Sequence, residues 1–356
     1  MDTVVPVERN RRKRSLSIIK NSTKFSPWYR DRNNLRFFGM FFLTGGFFLV
    51  ELIGGLLFGS LALLADSFHM LSDIIALSIG FYAMNLSKKS RTSHASFGWE
   101  RAEVIGALVN GSFLLAMCFS ITLEAVHRFI DWWPTPDKNI SQFEIVKNSD
   151  SLIIISAVGL GINIVGLFLF GHSHGGHSHG GENHSHINIR GVFLHILGDA
   201  LGSIGALLSN LLIKFLDSPY RVLCDPSVSF FIVFILISVA VPLIKKCISI
   251  LMEKAPKDVD IEKLKKEIVK IEGIIDVHDL HIWSLTSNKI FGTLHITVDN
   301  RYEVMKIFDL VKNIMHENGI HSSTVQPELV DITANIEGCE DLICENPICS
   351  KVQCCK

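Results

Sequence analysis

Apolar positions fall in six long, almost uninterrupted runs, at 36–59, 61–86, 102–130, 151–171, 189–215 and 227–250. About 20 apolar residues in a helix cross the roughly 30 Å of bilayer hydrocarbon, so each run predicts a membrane-spanning helix. The second, third and fifth runs contain polar residues that would be costly against lipid, which assigns those spans to a bundle interior and lets the first and sixth look outward. After Ala255-Pro256 the pattern changes. Val259 to Ile271 spaces its apolar residues at helical period among Lys and Glu, 275–286 and 291–299 alternate as strands, 302–318 reads as a second helix, and 320–326 as a last strand ending before Pro327. The expected fold is a polytopic α-helical membrane protein with six transmembrane helices, followed by a small α+β domain of αββαβ order. The boundaries are an N-terminal arm at 1–35, a membrane domain at 36–253 with a polar loop at 171–187, a C-terminal domain at 254–330 and a tail at 331–356.

Composition agrees with this division. The 356 residues are 48% hydrophobic with a formal net charge of −1 and a mean hydropathy of +0.34, a balance that soluble domains seldom have. The first thirty-odd residues are polar and hold the run Arg9-Asn10-Arg11-Arg12-Lys13-Arg14, so no cleavable signal peptide is expected and the N-terminus should stay in the cytosol. Lys88, Lys89, Arg91 and Arg101 after the second span, and Lys245, Lys246 and Lys254 after the sixth, fall on the same side as that arm. The positive-inside bias therefore places both termini and the loop at 171–187 in the cytosol. Trp132 and Trp133 fit the opposite interface, and Asn139-Ile140-Ser141 is a sequon on that side. Five of the eight cysteines lie in the last eighteen residues, where a cytosolic location argues against a disulfide framework.

Two short stretches stand out within the apolar runs. Ala65-Asp66-Ser67-Phe68-His69-Met70-Leu71-Ser72-Asp73 and His195-Ile196-Leu197-Gly198-Asp199 each place a His and an Asp four residues apart. On a helix that spacing puts both on one face, about one turn apart. A single buried His or Asp is usually satisfied by packing neighbours. Two identical pairs are harder to explain that way, because each Asp costs about 3 kcal/mol near the bilayer centre on insertion scales. Two imidazole nitrogens and two carboxylate oxygens complete a tetrahedral set that suits zinc, whereas magnesium, calcium and manganese prefer mostly oxygen; cadmium and cobalt fit the same donors. The candidate metal ligands are His69, Asp73, His195 and Asp199. Asp66 has two readings, an acceptor that fixes the His69 tautomer or a helix-start residue near the interface. Glu51, Asn110, Glu124 and Asn163 read as interhelical hydrogen-bond partners.

Other His and Cys residues are less constrained. The loop Gly171 to His186 carries six His in a Gly/Ser matrix, a composition suited to weak, exchangeable metal capture rather than to a site of fixed geometry. In the C-terminal domain His278, Asp279, His281 and His295 fall on or beside strands, with His316 and His321 around the second helix; strand alternation can bring some together, though half-exposed His in a small sheet is ordinary. Cys339, Cys344, Cys349 and Cys354 repeat every five residues and match no zinc-finger spacing.

The paired HxxxD motifs, Phe97-Gly98-Trp99-Glu100-Arg101-Ala102-Glu103, the His-rich loop between spans four and five, Asp225-Pro226 and Val277-His278-Asp279-Leu280-His281-Ile282-Trp283-Ser284-Leu285 together resemble the cation diffusion facilitator family over roughly 36–356. Asn188-Ile189-Arg190-Gly191-Val192-Phe193-Leu194-His195 and Gln326-Pro327-Glu328 look most like its plasma-membrane zinc-exporter branch, although the His loop is short for that branch. The resemblance implies a homodimer with metallochaperone-like cytosolic domains, zinc as transported substrate among the four ligands with no resident cofactor, protons as counter-ion, and alternating access. It also implies the plasma membrane, with a vesicular or vacuolar membrane as the rival. Val325-Gln326-Pro327 stands where bacterial relatives carry a His-containing ligand motif, which counts against a bacterial-style zinc cluster in the C-terminal domain.

The residues agree on the engine. No GxxxxGK[ST] or DKTG string occurs, so an ion gradient is expected to drive zinc rather than ATP. An intramembrane metalloenzyme would need an open coordination position and a catalytic Glu, and no HExxH occurs. A non-transporting zinc sensor should have lost a transport ligand, and all four are present. The chain reads as a transporter, not an enzyme, with the lipid membrane and a second copy as partners and no nucleic acid expected.

Overall fold

The computed structural model describes residues 32–58, 61–132, 157–171, 187–215, 223–299 and 301–330. Nearly all of the basic arm, the Asn139 sequon, nearly all of the His-rich loop and the Cys-rich tail lie outside the described residues. Hydrocarbon offers backbone groups no water, so a long apolar run satisfies its N–H and C=O groups within its own helix. Among the described residues, six such helices occur: α1 (Arg32–Phe58), α2 (Leu61–Ser87), α3 (Arg101–Trp132), α4 (Ala157–Gly171), α5 (Ile187–Phe215) and α6 (Cys224–Leu251). All but α4 are long and apolar enough to cross a membrane, and the described part of α4 is shorter. Phe42, Phe119, Phe168, Phe215 and Phe234 are exposed, as lipid-facing side chains should be.

The chain divides into two compact units, 1–74 and 75–356, with the boundary inside α2. In the second unit α3, α5 and α6 share a core of Val104, Ala107, Leu114, Leu194, Ile232 and Leu236 among others. Small residues permit close approach, as membrane helices require without a hydrophobic drive between them. A Cβ on Gly198 of α5 would stand 2.8 Å from Leu114 Cδ1 of α3. Helices α3 and α6 are tied at both ends. Arg128 of α3 pairs with Asp225 in the first turn of α6 and with Glu124 one turn back on α3. Arg101 donates to Glu253, just past α6, at 2.7 Å. Glu124 therefore bonds within its own helix and reaches the neighbour only through Arg128. Asn163 of α4 does bond across helices, to Ser203 of α5 at 3.4 Å.

The C-terminal domain has the expected order: α7 (Ile261–Val269), β1 (Ile274–Thr286), β2 (Lys289–Asp299), α8 (Val304–Glu317) and β3 (Ser322–Val330). Asp260 caps α7 by accepting from Lys263 N at 3.0 Å. The sheet order is β1-β2-β3, antiparallel and then parallel, and Leu264, Ile268, Leu294, Ile296, Val311 and Met315 fill the space between sheet and helices. One expectation fails. β3 does not stop before Pro327 but runs to Val330, with Pro327 opposite Ile296. β3 pairs with β2 alone, so it is an edge strand, and a residue without an N–H is tolerated where that group faces away from the ladder.

The hairpin β1–β2 meets the stretch 88–100 that precedes α3. Phe97 stands edge-on to Phe291 at 5.3 Å, Phe291 stacks on Trp283 at 5.9 Å, and Lys289 donates to Glu100 at 2.7 Å.

At the far end of β2, Asp299 is 2% exposed and accepts from Arg301 Nε at 2.8 Å and from the Arg301 backbone N–H at 3.1 Å. The Arg301 side chain holds its carboxyl below the usual carboxylate range. A depressed folded pKa gives stability that is present above the unfolded value, about 3.9, and is lost as pH falls through the folded value. Arg301→Ala should therefore move the onset of acid unfolding of the C-terminal domain to higher pH, read by circular dichroism or tryptophan fluorescence during acid titration. An unchanged acid midpoint would count against the pair.

Candidate functional site

His69 and Asp73 lie one turn apart on α2, with His69 exposed and Asp73 half-buried. His195 and Asp199 lie one turn apart on α5, with His195 6% exposed and Asp199 half-buried. Each HxxxD pair thus occupies one helical face, as its spacing requires. The first pair belongs to the unit 1–74 and the second to the unit 75–356, and their joining into one four-donor site is part of the reading proposed below. Asp66 is within α2.

The C-terminal sheet sorts its six sequence candidates into three groups. A β-bulge separates the His278 and His281 register positions on β1. Asp279 within it has a φ of 52°, a left-handed conformation that Asp tolerates better than most residues. Bulges re-aim side chains. Here His281 pairs with Asp279 at 3.1 Å, while His278 turns toward His295, its cross-strand partner, with ring centroids 5.5 Å apart. Glu328 of β3 completes this second group: its Oε1 is 2.9 Å from His295 Nδ1 and its Oε2 is 3.2 Å from His278 Nε2. The third group is His316 and His321, whose Nδ1 atoms are 2.9 Å apart on the surface.

The donor atoms of His278, His295 and Glu328 all lie within 4.8 Å of one another. Zinc with nitrogen and oxygen donors at about 2.0–2.2 Å needs them about 3.4 Å apart in a tetrahedron, so small side-chain movements suffice. Asp276 Oδ2 is 3.6 Å from His278 Nδ1, placed to orient that imidazole. The sequence pointed to both His but not to Glu328 as their partner. That missing signal was the continuation of β3 through Pro327, which brings Glu328 onto the sheet beside β2. A carboxylate thus faces the two imidazoles on the strand where the His-containing bacterial motif is lacking.

Two family models match the chain. The cation efflux transmembrane domain covers residues 38–252, and the cation efflux protein, cytoplasmic domain, covers 256–330. Among curated proteins, the vacuolar zinc transporter ZRC1 of Saccharomyces cerevisiae is 33% identical over 85% of this chain and 84% of its own length. The calcium/manganese antiporter SLC30A10 of Mus musculus is 31% identical over 89% of this chain and 84% of its own. The proton-coupled zinc antiporter SLC30A1 of Macaca fascicularis is 28% identical over 92% of this chain and 88% of its own.

The sheet cluster generates a test of its own. In the purified full-length protein, His278→Ala with His295→Ala should remove one zinc equivalent from an equilibrium titration, and Glu328→Gln should weaken that equivalent by about 10-fold or more. Unchanged stoichiometry in the double variant would dissolve the site.

Proposed function

Because this chain belongs to the cation efflux family, we propose that it carries Zn2+ out of the cytosol in exchange for protons, at a site assembled from His69, Asp73, His195 and Asp199. The observation that carries this reading is the repeated His/Asp pair, one turn apart on each of two membrane helices. Nothing about packing asks for the same costly pair twice. The donors suit the cargo: two imidazoles bias the set toward zinc and away from the harder manganese and calcium ions named for one of the relatives.

Proton exchange follows from the same groups. Zinc binds only deprotonated ligands, and an imidazole with a reference pKa near 6.5 titrates within the physiological range. A site open to the cytosol near neutral pH binds zinc and sheds protons. Opened to a more acidic space it takes protons and releases zinc, so a proton gradient drives the metal. The SLC30A1 relative, named a proton-coupled zinc antiporter, supports protons as the counter-ion. Zinc is on this reading the substrate and not a resident cofactor, and the chain is a transporter rather than an enzyme.

The distribution of Lys and Arg favours both termini in the cytosol. The exporter-branch motifs at 188–195 and 326–328 favour the plasma membrane, with a vacuolar membrane as the rival that the yeast relative's name supports. The cytoplasmic domain serves as the contact between two copies in a homodimer. Within it, the His278, His295 and Glu328 cluster supports a second role for the same chain, registering cytosolic zinc.

In sealed proteoliposomes with an imposed pH gradient, the intact protein should accumulate zinc, and Asp73→Ala or Asp199→Ala should each reduce uptake to the level of empty vesicles. An intact protein that binds zinc yet moves none under any ion gradient would make it a sensor instead. His69→Asn replaces a nitrogen donor with an oxygen, so it should narrow the preference for zinc over manganese by about 10-fold or more in competitive uptake. Equal selectivity in wild type and variant would remove His69 from the site.

A further inference from the structure

The second residue of α5, Asn188, is 0% exposed. Its Nδ2 donates to the backbone carbonyl of Gly80 on α2 at 2.6 Å. A third helix closes over the same point. A Cβ on Gly106 of α3 would stand 2.8 Å from Asn188 Oδ1 and 2.5 Å from the Ala83 methyl of α2, and a Cβ on Gly191 of α5 would stand 3.2 Å from Ala107 Cα of α3. Bare glycines are therefore what let α2, α3 and α5 meet here. Gly80, Ala83, Met84, Gly106 and Asn188 are all buried.

The place of this junction along the helices matters more than its tightness. Gly80 is seven residues after Asp73, and Asn188 is seven residues before His195. Seven residues advance a helix by about 10.5 Å and bring it back to within about 20° of the same face. The Asn188–Gly80 bond thus lies two turns from each metal-ligating pair, on the faces that carry them. In the orientation given above, α2 runs toward the cytosol and α5 away from it, so both two-turn steps lead to the cytosolic side.

We propose that Asn188 is a positioning residue that latches α5 to α2 on the cytosolic side of the four ligands, closing the cytosolic entrance until the bond is exchanged. An amide suits a seal that must open. Once the helices part, water satisfies both the amide and the Gly80 carbonyl, whereas an apolar plug of the same size would be left exposed and a buried donor without any partner would be penalised. The inference rests on the transport reading for its orientation, but its test does not depend on transport.

The reporter is Ala76→Cys, 1% exposed and between Asp73 and Gly80 on α2, in full-length protein whose eight native cysteines are replaced by serine. A membrane-impermeant maleimide is applied from the cytosolic side of oriented proteoliposomes. Asn188→Ala should raise the labelling rate at least 5-fold over the parent. Gly106→Ala, which wedges the junction against Ala83 and the Asn188 amide while leaving Asn188 itself in place, should raise it too, and it decides the matter if Asn188→Ala does not fold. Asn188→Asp provides a rescue that a merely structural role would not show: its carboxyl donates only when protonated, and burial against the Gly80 carbonyl favours that form over the ordinary carboxylate, so labelling relative to the parent should be faster at pH 8 than at pH 5.5. Parental labelling rates in the folded variants, or an Asn188→Asp rate that ignores pH, would overturn the latch. Failure of the parent to take up zinc would instead count against the export reading and leave the labelling result standing.

Discussion

A carboxylate or an amide inside a bilayer has to be held by something, and hydrocarbon offers nothing. That single constraint explains most of what distinguishes the membrane half of this chain from a generic apolar bundle. Apolar helices need no particular neighbours, but Asp73, Asp199, Asn163 and Asn188 do, and the bonds of Asn163 and Asn188 fix their helices in rotation as well as position. Asn163 reaches Ser203, Asn188 reaches a backbone carbonyl, and the two Asp residues each stand beside a His on the same helical face. The charged groups at the ends of α3 and α6 solve the same problem at the interfaces, where Arg101 and Arg128 find carboxylates on the opposite helix.

The C-terminal sheet answers a different demand, that of collecting polar donors without losing a core. Its buried face is lined by Ile, Leu, Val and Met, so the polar donors gather on the opposite face, His295 on the central strand among them. The bulge at Asp279 keeps His278 and His281 on one face, opposite His295 and Thr293, and the edge strand β3 supplies Glu328. A β3 ending at Gln326 would have left the two imidazoles without a carboxylate. The cluster therefore depends on β3 continuing through Pro327, which is tolerated because the proline nitrogen lies on the outer edge of the sheet, where the ladder is incomplete.

These particulars also mark where sequence reading stops. Long apolar runs, the HxxxD spacing and the αββαβ order were legible because each is a periodicity, and a periodicity survives without knowledge of neighbours. The predicted span at 102–130 and the observed helix Arg101–Trp132 differ only at their ends. Pro327 was read as a stop because proline cannot donate, but the missing donor matters only on a paired edge, and which edge is paired is a tertiary fact. Glu328 followed Pro327 out of sight. The partner of Asn188 was invisible for a deeper reason: a backbone carbonyl has no side-chain signature, so nothing at Gly80 announces that it accepts a bond from a residue 108 positions away. Lys289 and Glu100, 189 positions apart, were hidden differently: each carries a charge, but nothing in the sequence pairs one with the other.

Those last contacts bear on how the soluble and membrane parts can influence each other. The hairpin tip touches the stretch before α3 through one ion pair and one aromatic edge, and exposed ion pairs alone contribute little. The aromatic stack of Trp283, Phe291 and Phe97 gives the contact its shape. Because α3 is tied to α6 at both ends and packed along its length by Leu114, Leu236 and their neighbours, a force on the stretch before α3 cannot displace that helix alone. It acts on the α3–α6 pair as a body, and that body meets α2 and α5 where Gly106 and Ala107 press on Ala83, Asn188 and Gly191. The glycine junction at Gly106 thus lies within two turns of the start of α3, and the soluble contact at Glu100 stands immediately before that start.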